Sequence, residues 1–307
     1  MNAVAVHSLV KRYKTKKESV EAVKGISFDV EQGTIFGIIG PDGAGKTSLF
    51  RMLTTLLLPD GGDATVDESD IVKDYKAIRK KVGYMPGKFS LYQDLTVEEN
   101  LDFFATIFNT TVEKNYDLIR DIYVQIEPFK TRRAGKLSGG MKQKLALCCA
   151  LIHKPVVLFL DEPTTGVDAV SRKEFWDMLQ RLKDQGITIL VSTPYMDEAS
   201  LCNRVALMQN GGILTSGTPK EITESFQQTI LAIQSPNMYR LLQDLSNSPE
   251  VDDVYSYGEY HHAIMKKNYN NEALKQYLQS KGEDEVEMHT VTPSIEDCFM
   301  QLMRSKT

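Results

Sequence analysis

The chain has 307 residues, 42% of them hydrophobic and 25% charged, with a formal net charge of -5. Such a composition belongs to a globular chain with material for about two domains, and the acidic balance argues against a general nucleic-acid binder. No apolar run approaches the roughly 18 residues a membrane helix needs, and the opening MNAVAVHSLVKRY lacks the long apolar stretch of a secretory leader, so a cytoplasmic setting is expected.

Short β-like runs come first: AVAVHSLV, GISFDVE and TIFGIIG. The basic run KRYKTKK (Lys11–Lys17) reads as a solvated loop rather than a membrane anchor. A helix is expected over Lys46–Leu58, stopped by Pro59-Asp60-Gly61-Gly62. Residues 96–152 read mostly as helix, because TVEENLDFFATIF and the run after Leu137 carry apolar residues at helical spacing. VVLFLD (156–161) and ITILVS (187–192) read as buried strands, and SRKEFWDMLQRLKDQG between them as a helix ending near Gly186. That β-α-β order favours parallel pairing. Thr193-Pro194 is then expected to open an acidic helix, with Thr193 as cap and Pro194 in the first turn. VALMQNGGILTSG reads as a hairpin turning at Asn210-Gly211-Gly212.

The composition shifts near Gln227. Strands are expected at TILAIQS, VDDVYSYG, HHAIMKK and EVEMHTV, and helices at NMYRLLQDLSN and NNEALKQYLQS. This β-α-β-β-α-β order fits a small α+β, ferredoxin-like module over residues 228–307. A closing helix, TPSIEDCFMQLM, takes Thr292 as N-cap and Pro293 in its first turn. The pair His261-His262 has no third ligand in sight and reads as a hairpin edge. Cys148, Cys149, Cys202 and Cys298 show no zinc spacing and read as buried thiols.

GPDGAGKT (Gly40–Thr47) matches G-x-x-x-x-G-K-[ST], follows an apolar strand and precedes a helix, which is the context that gives this motif meaning. Its backbone amides, with the helix N-terminus, suit a triphosphate. The candidate nucleotide contacts are Gly40, Pro41, Asp42, Gly43, Ala44, Gly45, Lys46, Thr47 and Ser48. Lys46 reaches the β- and γ-phosphates, and the Thr47 hydroxyl holds Mg²⁺. VVLFLDE supplies Asp161 as the second metal contact and Glu162 as the base that polarises an attacking water.

Two further stretches, LSGGMKQK (Leu137–Lys144) and DEPTTGVD (Asp161–Asp168), complete a pattern that resembles the ATP-binding subunit of an ABC transporter. The resemblance covers roughly Ala3 to Gln227, and the tail resembles the small C-terminal module of drug-exporter types. It implies an α/β P-loop ATPase core over residues 1–227, with an antiparallel β portion and a helical subdomain at about 83–152. It implies ATP and Mg²⁺ as ligands. It also implies a dimer in which each ATP lies between one chain's phosphate loop and the other's LSGG motif. Tyr13 would stack on adenine, Ser138, Gly139 and Gly140 would meet the partner's γ-phosphate, and Asp168 would sit at the seam. A separate permease and a second ATPase subunit are the expected partners, with no nucleic acid. The chain would then lie on the cytoplasmic face of the membrane.

The pattern is broken at two places. Pro194 stands where the family usually has a histidine, and Gly87, in GYMPGKFSLY, where it usually has a glutamine. Both usual side chains serve the γ-phosphate or its attacking water, and neither replacement offers a side-chain donor. Smaller departures are Asp42 for asparagine and Met141 for glutamine. The expectation is an exporter ATPase whose own site binds ATP but turns it over slowly, while Ser138–Gly140 complete a partner's site. Two alternatives are a soluble ABC ATPase acting on DNA or ribosomes and a non-hydrolysing scaffold. Lys46 and Ser138 lie only about 90 residues apart, with no extended heptad pattern between them, and a single set of motifs is present, which weighs against the first alternative.

Overall fold

A computed structural model describes residues 1–14, 19–283 and 285–304; Thr15–Lys17 of the basic run lie outside the described residues. The chain divides into two compact units, one formed by Met1–Pro219 with the residues from Leu302 on, the other by Lys220–Gln301.

In the larger unit an antiparallel sheet runs β2 (Ser19–Glu31), β1 (Asn2–Lys14), β4 (Gly61–Val66), β5 (Ser69–Asp70). A second sheet runs β10 (Gly212–Gly217), β9 (Arg204–Gln209), β3 (Ile35–Ile39), β8 (Thr188–Thr193), β7 (Val157–Asp161), β6 (Val82–Met85), parallel except for β10. Every residue of β3, β7 and β8 is buried, which is why these strands read as consecutive apolar residues, with polar ones at the ends, rather than as alternation. The helices are α1 (Lys46–Leu53), α2 (Tyr75–Lys81), α3 (Val97–Ile107), α4 (Tyr116–Tyr123), α5 (Gly139–Leu151) and α6 (Ala169–Asp184), while α7 (Pro219–Glu224) belongs from Lys220 on to the smaller unit. One core joins both sheets through α1: Phe28 stacks on Phe36, and Phe50 of α1 meets Phe159 of β7 edge-on.

Three expectations need correction here. The first helix stops at Leu53, not Leu58. Thr55 takes φ 62, its N–H bonds the Met52 carbonyl, and the Leu56 N–H bonds the Arg51 carbonyl. That pair of bonds closes a helix without needing the proline downstream. Residues 83–85, assigned to the helical region, belong to β6 at the sheet edge. After β8 the chain makes only a short 3-10 turn, Met196–Leu201, with Tyr195 as its N-cap and no side-chain cap. Thr193 is still strand, and its hydroxyl accepts from the Tyr195 N–H at 3.1 Å. The hairpin does turn at Asn210 (φ 48) and Gly211 (φ 83), the two-residue form that suits strand twist.

The smaller unit is an antiparallel sheet in the order β12 (Val251–Tyr257), β13 (Tyr260–Met265), β11 (Ile230–Gln234), β14 (Glu287–Val291), with α8 (Met238–Ser246), α9 (Asn271–Ser280) and the start of α10 (Ile295–Arg304). Leu241 and Leu245 of α8 and Leu274 and Leu278 of α9 share a core with Leu231, Ile233 and Ala263 of the sheet. The cap of α10 is Ser294, not Thr292: its hydroxyl accepts from the Asp297 N–H, and the Asp297 carboxylate accepts from the Ser294 N–H. His261 and His262 lie on an inner strand, not an edge, and both are buried. His261 contacts the Met238 carbonyl, and His262 lies 2.7 Å from Asp297.

Burial alone would raise the Asp297 carboxyl, but hydrogen bonds from His262, Ser294 and Tyr255 outweigh it and hold it down at about 2, against an ordinary 3.8. A depressed carboxyl contributes stability above its unfolded value and loses it as pH falls through its folded one. The stability advantage of the wild type over Asp297→Asn should therefore be full at pH 7, about 2 kcal/mol, and shrink between pH 4 and pH 2. Urea unfolding of both proteins across that range measures it.

Candidate functional site

The site gathers at the carboxyl ends of β3, β7, β8 and β6, neighbours in the parallel sheet, where ligands of such sheets bind. Leaving β3, the chain wraps through Gly40–Gly45 into α1. Two glycines are forced there by close backbone. A Cβ on Gly40 would lie 2.0 Å from the Met208 carbonyl oxygen of β9, and one on Gly45 (φ 107) 2.1 Å from that of Ala22 in β2. The Gly40 N–H bonds the Thr193 carbonyl at the end of β8, and the hairpin-tip Gly211 N–H bonds the Ala44 carbonyl. The loop is thus held by three strands and a turn.

Lys46 is almost fully buried, and its ammonium donates to the Gly40 and Pro41 carbonyls at 2.8 and 3.0 Å. It also pairs with the Glu162 carboxylate at 3.1 Å. Helix α1 has no side-chain cap at Gly45 and no acid in its first turn, so its leading amides and Lys46 form a cradle for anionic oxygens. Asp42 is exposed, which keeps its charge at the rim. Tyr13 is 39% exposed, and its hydroxyl lies 3.1 Å from that of Ser48 in α1, which ties Tyr13 to the loop's exit.

Asp161, the last residue of β7, accepts from the Thr47 hydroxyl at 3.2 Å and the Ser192 hydroxyl at 2.6 Å. A buried carboxylate beside a hydroxyl is an all-oxygen set of the kind Mg²⁺ takes while keeping waters and phosphate oxygens for its other positions. The residues therefore fit Mg²⁺. Among the described residues no group of three or more His, Cys, Asp or Glu comes together as a closed metal cage. Glu162 follows with φ 51, in the left-handed region, and its N–H bonds both the carbonyl and the hydroxyl of Ser192. Ser192 thus touches both acids. Sequence reasoning passed over it; the available signal was its place two residues before Pro194 on a neighbouring strand.

Gly87 lies against the acids. A Cβ at that position would be 2.9 Å from the Asp161 carbonyl oxygen and 3.7 Å from the Glu162 Cβ. Pro194 is half-buried just beyond Thr193. Ser138 and Gly139 are exposed at the start of α5, with the Ser138 hydroxyl capping Met141 N–H at 3.4 Å, and the Cβ direction of Gly140 faces Ser171 of α6. Asp168 caps α6 by accepting from the Ser171 N–H at 3.0 Å, and that bond lowers its carboxyl pKa. The four cysteines are free and buried, and burial pushes the Cys148, Cys149 and Cys202 thiols well up. They are inert at neutral pH.

A phosphate loop, a strand-end Asp-Glu pair and an LSGG helix on this sheet define a P-loop ATPase of the ABC cassette class. The model of the family described as ABC transporter matches residues 23–165. The chain is 41% identical over 286 residues, 92% of its own length, to the probable multidrug ABC transporter ATP-binding protein YbhF of Escherichia coli (strain K12), of which it spans only 49%. It is 34% identical to the Nod factor export ATP-binding protein I of Rhizobium sp. (strain N33), covering 91% of each chain. The solved structure of cbiO1 from Clostridium perfringens, part of the ABC transporter complex cbiONQ, matches with TM-score 0.64 at 27% identity, over 73% of this chain and 91% of that one. The chain belongs to the family of ABC transporter ATP-binding proteins.

Proposed function

We propose that this chain is the energy-coupling ATPase of a membrane exporter, working as a dimer on a separate permease, and that its own ATP site turns over slowly. Export is supported by the names of the relatives in the drug and Nod-factor classes. Among the described residues no helix is long and apolar enough to cross a membrane, so the spanning part is assigned to other subunits or segments.

In this reading the loop amides and Lys46 bind the triphosphate, and Lys46 exchanges the Glu162 carboxylate for the more highly charged phosphates. That exchange frees Glu162 to accept a proton from the attacking water. Thr47 and Asp161 would hold Mg²⁺, which when bound would neutralise phosphate charge. Tyr13 supports the adenine, and Ser138, Gly139, Gly140 and Asp168 face the second subunit.

The observation that carries the slow-site reading is the loss of two side-chain donors, one at Gly87, whose Cβ position lies 3.7 Å from the Glu162 Cβ, and one at Pro194, directly after β8. Pro194 has no donor, and Gly87 fits closely against the Asp161 carbonyl, leaving no side chain in a place where one would need the backbone to move. Losing one positioned group in such a site can reduce the rate by about 10²-fold.

Permease docking is assigned to a cleft of about 390 Å³ whose walls include Met85, Leu91, Phe104, Ile107 and Phe108. Its rim is fixed by buried Asn100, which accepts from the Tyr92 N–H and donates to the Tyr92 and Thr96 carbonyls. Pro86 also lines the cleft and directly precedes Gly87, whose Cβ position faces the acids, which supports a link between the cleft and the acids. The test is affinity purification of the tagged chain from its native membranes. Recovery of a polytopic membrane protein supports the exporter reading; recovery of ribosomes or DNA instead, with no membrane protein, contradicts it.

A further inference from the structure

Glu198 is a surface acid by composition and a core residue by structure. It lies in the 3-10 turn behind Pro194, is 2% exposed, and accepts from the Thr164 hydroxyl at 2.8 Å. Thr164 is itself buried and stands two residues after Glu162, in the loop that leads to Asp168. The other carboxylate oxygen of Glu198 is buried and has no hydrogen-bond partner among the described residues. A buried carboxylate with one oxygen unpaired is costly, and an apolar residue would serve packing better. The position is therefore explained by what Glu198 holds rather than by stability.

The loop it holds needs holding. Glu162 sits at φ 51; its N–H is held by Ser192, and its carbonyl accepts from the Thr165 N–H of the same loop. A further side-chain hold on that loop comes through Thr164. Arg172 of α6 completes the frame: it reaches Asp197 at 3.3 Å, approaches Glu198 at 4.0 Å and lies 5.0 Å over the Tyr195 ring. The turn after β8, which offers the site no donor at Pro194, is thus joined to the acid loop and to the helix capped by Asp168.

We propose that Glu198 is a positioning residue for the hydrolytic acid: by holding Thr164 it fixes the backbone from which Glu162 projects, and it links that backbone to the turn behind Pro194. The role rests on Glu162 acting as the base. Its consequence for the loop does not depend on how fast the wild-type site turns over, so two readouts separate the two claims.

The experiment compares wild type, Glu198→Ala, Glu198→Gln, Thr164→Val and the double variant Glu198→Ala with Thr164→Val in the full chain. Amide hydrogen exchange across 161–168 reads the loop directly, because the Glu162, Thr165 and Val167 amides are all bonded there. Single-turnover hydrolysis and ATP affinity are measured on the same proteins. Exchange in this segment should rise about tenfold in Glu198→Ala and Thr164→Val and stay near wild type in Glu198→Gln, which keeps an acceptor. Hydrolysis should fall about tenfold or more in the first two, with ATP affinity within about threefold, and the double variant should be no worse than either single one. Unchanged exchange in Thr164→Val, or losses that multiply in the double variant, would overturn the proposal. If Glu198→Ala does not fold, Thr164→Val decides alone. A fast wild type with the expected exchange pattern would remove the slow-site reading and leave this one standing.

Discussion

Pro194→His is expected to raise hydrolysis at this chain's own site by at least about tenfold. Position 194 follows directly on Thr193, whose carbonyl holds Gly40 at the start of the phosphate loop, so an imidazole there lies at the phosphate end of β8. Histidine supplies the donor that proline lacks, and nothing in the fold depends on the proline ring: the turn that follows is capped at Tyr195, and the strand ends at Thr193. Gly87→Gln should do less on its own, because its Cβ would press within 2.9 Å of the Asp161 carbonyl oxygen. The loop must shift before the longer side chain can work. Phosphate release from preformed ATP-bound protein, compared with the same variants carrying Glu162→Gln, measures both.

Ser138→Arg should have a larger effect in the opposite direction, and on a different site. Ser138 is exposed at the head of α5 and caps it through Met141. Losing the cap costs about 1 kcal/mol, too little to unfold the chain. An arginine there would place bulk and a fixed charge where a partner's γ-phosphate is expected. Turnover of the assembled transporter should fall by about 10²-fold or more, while ATP affinity at this chain's own loop stays unchanged. Lys46→Ala in the same chain should weaken its own ATP binding and reduce turnover less. If the two substitutions abolish turnover equally, the two sites are equivalent and the asymmetry is wrong.

Most of the cassette was readable because its parts announce themselves locally. Consecutive apolar residues marked β3, β7 and β8, since strands covered on both faces show no polar alternation, and their polar residues lie at the strand ends. The spacing Gly40–Thr47 and the acids after β7 marked the site. What could not be read depends on partners far along the chain. Gly40 and Gly45 are required by Met208 and Ala22, and Ser192 becomes a site residue only when β8 pairs with β7. Glu198, in a stretch read only as an acidic helix, is buried and accepts from the Thr164 hydroxyl. The strand β6 escaped notice, and its residues 83–85 fell within the expected helical region, because four residues are too few to show a period. The end of α1 was misplaced because Thr54 and Thr55 carry no glycine to signal a stop, although Thr55 adopts the glycine-like φ.

The most direct test of the slow-site account is the ATPase rate of a verified dimer of this chain alone, reconstituted with the membrane subunits that purify with it. The account predicts ATP held tightly, with slow release of phosphate and little stimulation by the permease. Robust, permease-stimulated turnover by that dimer would contradict it.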